Sequence, residues 1–333
     1  MKKNDFIQAS ARTRVLEKGL ISQIQFERMV EADNVEELFH ILNETDYGDY
    51  FNKLEHSSEY EDALNKASKD FYQDVVWMSP NKDLIKILSL KYDYHNYKVF
   101  LKELLIQEDQ SELYLNITDS DFMAQKDTLL QLEEEQRKRL MPSFYHTALE
   151  AYEKTGDVQL IDIIVDKAYF EELKATADRV DVPMISQYVT DLIDFTNLKT
   201  LFRMKRQMKN INLLGDVLID GGNIAKETFS GRFFDSMDDI IRSLRQEEVG
   251  PALLIGAEAY DRDQKLASFE KAFENHAMAK IRLTKGITYG PEVLFSYLLA
   301  RETEIKNLRM IIISKINQVP AEAIRSRLRG TYA

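Results

Sequence analysis

One six-residue pattern occurs three times in this chain and constrains its fold more than any other feature. Asp93-Tyr94-His95-Asn96-Tyr97-Lys98, Asp194-Phe195-Thr196-Asn197-Leu198-Lys199 and Glu304-Ile305-Lys306-Asn307-Leu308-Arg309 all read acid, apolar, any residue, Asn, apolar, base. The asparagines are 101 and 110 residues apart, near one third of the 333-residue chain. Each copy continues with apolar residues at helical spacing: Tyr94, Tyr97, Leu101; Phe195, Leu198, Phe202; Ile305, Leu308, Ile312. Three equivalent core helices follow. At about 100° per residue the acid and the Asn share a face, while the base points away. The spacing therefore predicts that acid and Asn meet at one contact and leave the base for another.

A weaker repeat lies upstream, where Asn34, Asp157 and Ser236 each precede an apolar run. All three are good N-cap residues, and Glu37 and Asp239 stand three positions on, as in a capping box; Leu160 breaks that pattern in the middle copy. The cap-to-asparagine distances of 62, 40 and 71 residues indicate divergent triplication with insertions. We expect helical repeats over 1–110, 111–215 and 216–333. Long amphipathic helices are expected over Tyr60–Trp77, Asp121–Arg139, Asp263–Lys285 and Glu292–Asn317.

Turn residues are scarce. Gly 12 and Pro 6 make 18 residues, where average usage would give about 40. Sheet folds consume Gly and Pro at frequent turns, so the fold class expected is all-α. The net charge of -12 disfavours nucleic acid as a partner. Its distribution is uneven: residues 1–200 hold 23 basic and 39 acidic side chains, residues 201–333 hold 21 and 17. The longest stretch free of Asp, Glu, Lys and Arg is the ten residues Leu140–Leu149, too short to cross a bilayer, so no direct membrane insertion is expected. The opening Met1-Lys2-Lys3-Asn4-Asp5-Phe6 does not lead into the apolar run of a secretory signal.

With no cysteine there is no thiolate nucleophile or zinc-thiolate site. Neither the phosphate loop nor the dinucleotide glycine motif is present, and the five histidines are scattered. No catalytic group, cofactor or metal is expected. The three acid-Asn pairs could be imagined as Mg²⁺ ligands, but one inherited packing contact explains their recurrence better. The Glu133-Glu134-Glu135 and Arg137-Lys138-Arg139 runs read as a solvated helix face. Arg325, Arg327 and Arg329, with Ile324 and Leu328 on one face, suit either anchoring of the C-terminal segment or an acidic partner surface.

The threefold motif, the opening Ala11-Arg12-Thr13-Arg14-Val15-Leu16-Glu17-Lys18-Gly19-Leu20-Ile21, and the blocks Tyr297–Arg309 and Ile324–Arg329 together resemble the C subunit of V-type (archaeal and bacterial A-type) ATPases, counterpart of the eukaryotic d subunit. The likeness spans essentially the whole chain and is most specific in its C-terminal block. It implies a pseudo-threefold funnel of three similar helical domains on the cytoplasmic face of the membrane rotor ring. It also implies that a shaft made by the D and F subunits plugs into that funnel, and that torque passes between ATP hydrolysis or synthesis and cation transport without catalysis in this chain. The alternative is a helical-repeat scaffold for peptides or proteins, which predicts a uniform superhelix with a concave apolar groove. An enzyme with a cryptic site would need converging titratable groups, which no spacing suggests.

Overall fold

The computed structural model describes residues 2–118, 120–207, 211–245 and 250–333. They form eighteen α-helices joined by turns and short 3₁₀ segments, with no strand among the described residues. The first five are α1 (Ile7–Leu16), α2 (Gln23–Glu31), α3 (Val35–Leu42), α4 (Gly48–Phe51) and α5 (Tyr60–Met78). Then come α6 (Lys82–Ile106), α7 (Asp121–Gln131), α8 (Glu134–Leu140), α9 (Ser143–Thr155), α10 (Gln159–Val180) and α11 (Pro183–Arg206). The rest are α12 (Ile211–Val217), α13 (Lys226–Gly231), α14 (Met237–Leu244), α15 (Gly250–Asp263), α16 (Leu266–Arg282), α17 (Pro291–Ile316) and α18 (Ala321–Arg327).

The three motif copies lie on α6, α11 and α17, three of the longest helices, of 25, 24 and 26 residues. Asn34 caps α3 by accepting from the Glu37 N–H at 2.9 Å, and Ser236 caps α14 by accepting from Asp239 at 3.2 Å. In the middle copy the cap shifts: Val158 occupies the N-cap position of α10, and Asp157 accepts from the Gln159 N–H at 2.8 Å. Two expected helices are shorter than predicted. The run over 121–139 breaks at Leu132-Glu133, because Glu133 takes extended backbone and forms a capping box with Gln136 that starts α8. The run over 263–285 starts only at Leu266, after the left-handed Gln264 (φ 56), and its last turn tightens to 3₁₀.

Apolar burial gathers into three cores. The largest joins α6, α9 and α10 with the first halves of α11 and α17. A second joins α2 to α5 with the second half of α17 and with α18, so both ends of the chain build it. The third joins the second half of α11 to α12–α16. Each motif helix is thus tied into the shared cores, and α17 is buried on all sides from Pro291 to Ile305 apart from Glu292. No described helix is long and apolar enough to cross a membrane.

Candidate functional site

The three asparagines do the same thing. Asn96 donates from Nδ2 to the Leu115 carbonyl at 2.9 Å and accepts from the Leu115 N–H at 2.8 Å. Asn197 clamps Ile219 in the same way, at 2.8 Å for both bonds, and Asn307 clamps Arg329 at 3.1 and 3.0 Å. An amide side chain carries one acceptor and one donor side by side, so it can satisfy both backbone groups of one residue in an irregular segment. All three amides are essentially buried, at 1%, 0% and 1% exposure. The target lies 19, 22 and 22 residues beyond the Asn, so each motif helix pins the segment that returns after it.

The acids diverge. Asp194 accepts from the backbone of Asn223 and Ile224, holding the same returning segment as Asn197. Burial raises its carboxyl to about 6, against the pull of those N–H donors and the Asn223 amide. Glu304 instead turns toward the first helices, accepting from the Ile21 N–H and from the Tyr47 hydroxyl. It is joined there by Arg301, which is 1% exposed and donates to Glu304 at 3.1 Å, Asp46 at 2.5 Å, the Tyr297 hydroxyl at 3.0 Å and the Gly19 carbonyl at 3.2 Å. Its guanidinium also lies 4.4 Å from the Phe71 ring centroid. Burial pushes Glu304 up to about 7 while Arg301, the Ile21 N–H and Tyr47 pull it down. Asp93 sits half-buried on α6.

The bases form a circuit. Lys98 on α6 pairs with Asp166 on α10 at 2.6 Å, Lys199 on α11 with Glu270 on α16 at 3.1 Å, and Arg309 on α17 with Glu61 on α5 at 2.8 Å. The acceptor in each case lies on the helix that precedes the next motif helix, and the third pair returns to the start. Each pair is partly exposed and so individually weak; what they record is a closed order of contacts.

Between the motif helices lies a cavity of about 240 Å³, lined from α6, α11 and α17 together with α10 and α16. Each motif helix contributes one lysine, and each lysine has a carboxylate: Lys91 with Glu302 at 2.6 Å, Lys199 with Glu270 at 3.1 Å and Lys306 with Glu274 at 2.7 Å. Burial alone would raise Glu274, but Lys306 and Arg329 outweigh it and hold the carboxyl below its usual range. Tyr169, Tyr188, Phe195 and Phe273 supply apolar wall between the pairs. Such a site presents neutralised charge and aromatic surface; it carries no nucleophile poised beside a base. Among the described residues no three His, Asp or Glu side chains converge to hold a metal ion.

A family model described as ATP synthase (C/AC39) subunit matches residues 9–327. The chain belongs to that family. It is 26% identical over 328 residues to the C subunit of the V-type sodium ATPase of Enterococcus hirae, covering 96% of each chain. It is 25% identical to the C subunit of the A-type ATP synthase of Methanocaldococcus jannaschii, across 96% of this chain and 85% of that one. A similar relative in Haloquadratum walsbyi is 24% identical over 324 residues, 91% of this chain and 92% of that one. The main lines of the resemblance seen in the sequence thus hold: a relative of V/A-type ATPase C subunits with an all-helical body.

Within this C/AC39 chain the C-terminal arginines separate. Arg325 bonds to Glu27 at 3.0 Å, to Glu322 at 2.8 Å and to Glu31. Arg329 bonds to Glu274 while its backbone is held by Asn307. Arg327 is exposed and enters no ion pair among the described residues. Sequence reasoning missed Arg301, whose setting in Ala300-Arg301-Glu302-Thr303-Glu304 looks like a surface stretch until the uncharged run Val293–Ala300 before it is weighed. It also missed the acids that receive the bases. A faint signal exists: Glu61, Asp166 and Glu270 each follow an apolar residue, Tyr60, Val165 and Phe269, 31 to 37 positions before the Asn.

Proposed function

We propose that this protein is the non-catalytic central-stalk adaptor of a rotary V/A-type ATPase. In this reading it joins the shaft made by the D and F subunits to the proteolipid ring and passes torque between ATP hydrolysis or synthesis and cation transport. The observation that carries the reading is the closed circuit of ion pairs around a cavity to which each motif helix contributes. A coupling under torsion needs a body without a free edge, so that load entering at one helix is shared by its neighbours on both sides. Three units in pseudo-threefold order, each carrying a motif helix, would meet that requirement. Arg327, outside any ion pair among the described residues, is available to an acidic partner. Attachment on the cytoplasmic face would run through protein contacts with the ring, since the acidic body is repelled by anionic lipid. An open peptide-binding solenoid is the less supported alternative, because its first and last repeats would not touch. Mixing the purified chain with detergent-solubilised ring, and separately with the shaft pair, tests the proposal by stoichiometry. One copy per ring is expected, with no ATP turnover by the chain alone; association with neither partner refutes it.

A further inference from the structure

Away from the central cavity, an open pocket of about 570 Å³ lies between the C-terminal end of α6 and helices α7 to α9. Its lining carries five carboxylates, Glu103, Glu108, Asp109, Glu134 and Glu153, against a single cation, Arg137. Glu134 is engaged by Lys138 at 2.7 Å and Glu103 by the Tyr114 hydroxyl. Glu108 and Glu153 are exposed and make no ion pair among the described residues. The carbonyl end of the 25-residue α6 adds the negative pole of a helix dipole to the same place.

The pocket is not a metal site, because its carboxylates are spread out and no three acidic or His side chains converge among the described residues. Its floor is apolar, formed by Leu104, Leu105 and Leu149. The Tyr145 hydroxyl on its lining is fully buried and has no well-formed hydrogen bond, and neither has Arg137 Nε beside it. Ile106 and Leu140, at the ends of α6 and α8, stay 51% and 62% exposed. Dispersed negative charge over an apolar floor, with polar atoms left to be satisfied, is the complement of a helix that carries cations beside apolar side chains.

We propose that this pocket docks a cationic amphipathic helix from a partner protein. Its lysines or arginines would meet Glu108, Asp109 and Glu153, and its apolar side chains would rest on the leucine floor. The proposal stands on this pocket alone and does not require the rotor reading. The test uses the full-length protein and a fluorescein-labelled peptide of Leu and Lys at helical spacing, about 18 residues long, beside a scrambled peptide of the same composition. Fluorescence anisotropy should show the ordered peptide binding roughly tenfold tighter than the scrambled one. The Glu108→Lys/Glu153→Lys variant should lose about tenfold in affinity. A control variant, Glu258→Lys/Asp261→Lys, reverses two exposed acids on α15 and should change binding less than about twofold. Circular dichroism checks that both variants remain folded. Equal loss in the two variants, equal binding of the two peptides, or displacement of the peptide by Mg²⁺ as readily as by unlabelled peptide would each overturn it.

Discussion

Replacing Asn197 by Leu removes a clamp without leaving a hole, since Leu keeps the same branched skeleton and is the bulkier of the two. What is lost is polar satisfaction: the Ile219 N–H and C=O, each bonded to the amide at 2.8 Å, would remain at a site where Asn197 is 0% exposed. A buried unsatisfied group costs about 1–3 kcal/mol, so two cost about 2–6 kcal/mol. Leu returns part of this, about 1–2 kcal/mol, because no amide has to be desolvated. Taking the middle of each range, the net loss is about 2–3 kcal/mol. A chain with several cores does not unfold in one step, so the local readout is preferable to a melting temperature. Hydrogen exchange at the Ile219 amide should accelerate by about 30-fold or more, at about 1.4 kcal/mol per tenfold. Asn96→Leu and Asn307→Leu should do the same at Leu115 and Arg329. Asn317→Leu, whose amide bonds only to the Ile313 carbonyl one turn back on an exposed helix end, is the control. Exchange at Ile219 within about threefold of the wild-type rate would refute the clamp argument.

Three further outcomes follow from the same geometry. Asp194 has a folded-state pKa raised from 3.8 to about 6, so its contribution to stability is present below pH 3.8 and is lost as pH rises through 6. The displacement corresponds to about 3 kcal/mol; denaturation of Asp194→Asn across this window should show a correspondingly flatter pH dependence, and an unchanged profile would assign the effect elsewhere. Arg301→Met leaves Glu304 buried without its cation and should cost about 3–5 kcal/mol in urea denaturation; the double change Arg301→Met/Glu304→Leu should recover most of it, whereas a double variant no better than the single one would mean that packing, not charge, dominates. Arg309 and Glu61 are each about 40% exposed, so Arg309→Glu should cost under about 1 kcal/mol, with a coupling of about 0.5 kcal/mol recovered by adding Glu61→Arg; a larger single effect would contradict the view that the circuit orders the body rather than holds it together.

The sequence showed the helices through composition and period, because long apolar-periodic runs with few glycines allow little else. It showed the Asn motif because one clamp at three places tolerates no other side chain of that size with a donor and an acceptor adjacent. It did not show the partners of that motif. The expected joint contact of acid and Asn describes Asp194 and Asn197, which hold one returning segment, but Glu304 faces residues nearly the whole chain away. Periodicity fixes which way a side chain points on its own helix and says nothing of which helix it meets. The break at Leu132-Glu133 was hidden for a related reason: three adjacent glutamates suit a helix interior and a helix start about equally, and backbone geometry decided between them. The arginines of the C-terminal segment look alike in sequence, but Arg325 and Arg327 lie on α18 whereas Arg329 lies beyond its end, and the acids of α2 and α16 stand beside only Arg325 and Arg329.

The core shared by the chain's two ends bears on the order in which the protein can be made. Phe26, Leu38, Leu64 and Phe71 share one cluster with Ile305, Leu308, Ile312 and Ile324. Phe71 and Ile305 are 234 positions apart, so on a ribosome adding about 5–20 residues each second the early helices wait about 10–50 s for their cover. During that interval a greasy face is open to solvent, the condition under which nascent chains are prone to aggregate. Truncation before α17 would leave that face permanently bare, turning a sturdy body into an aggregating fragment.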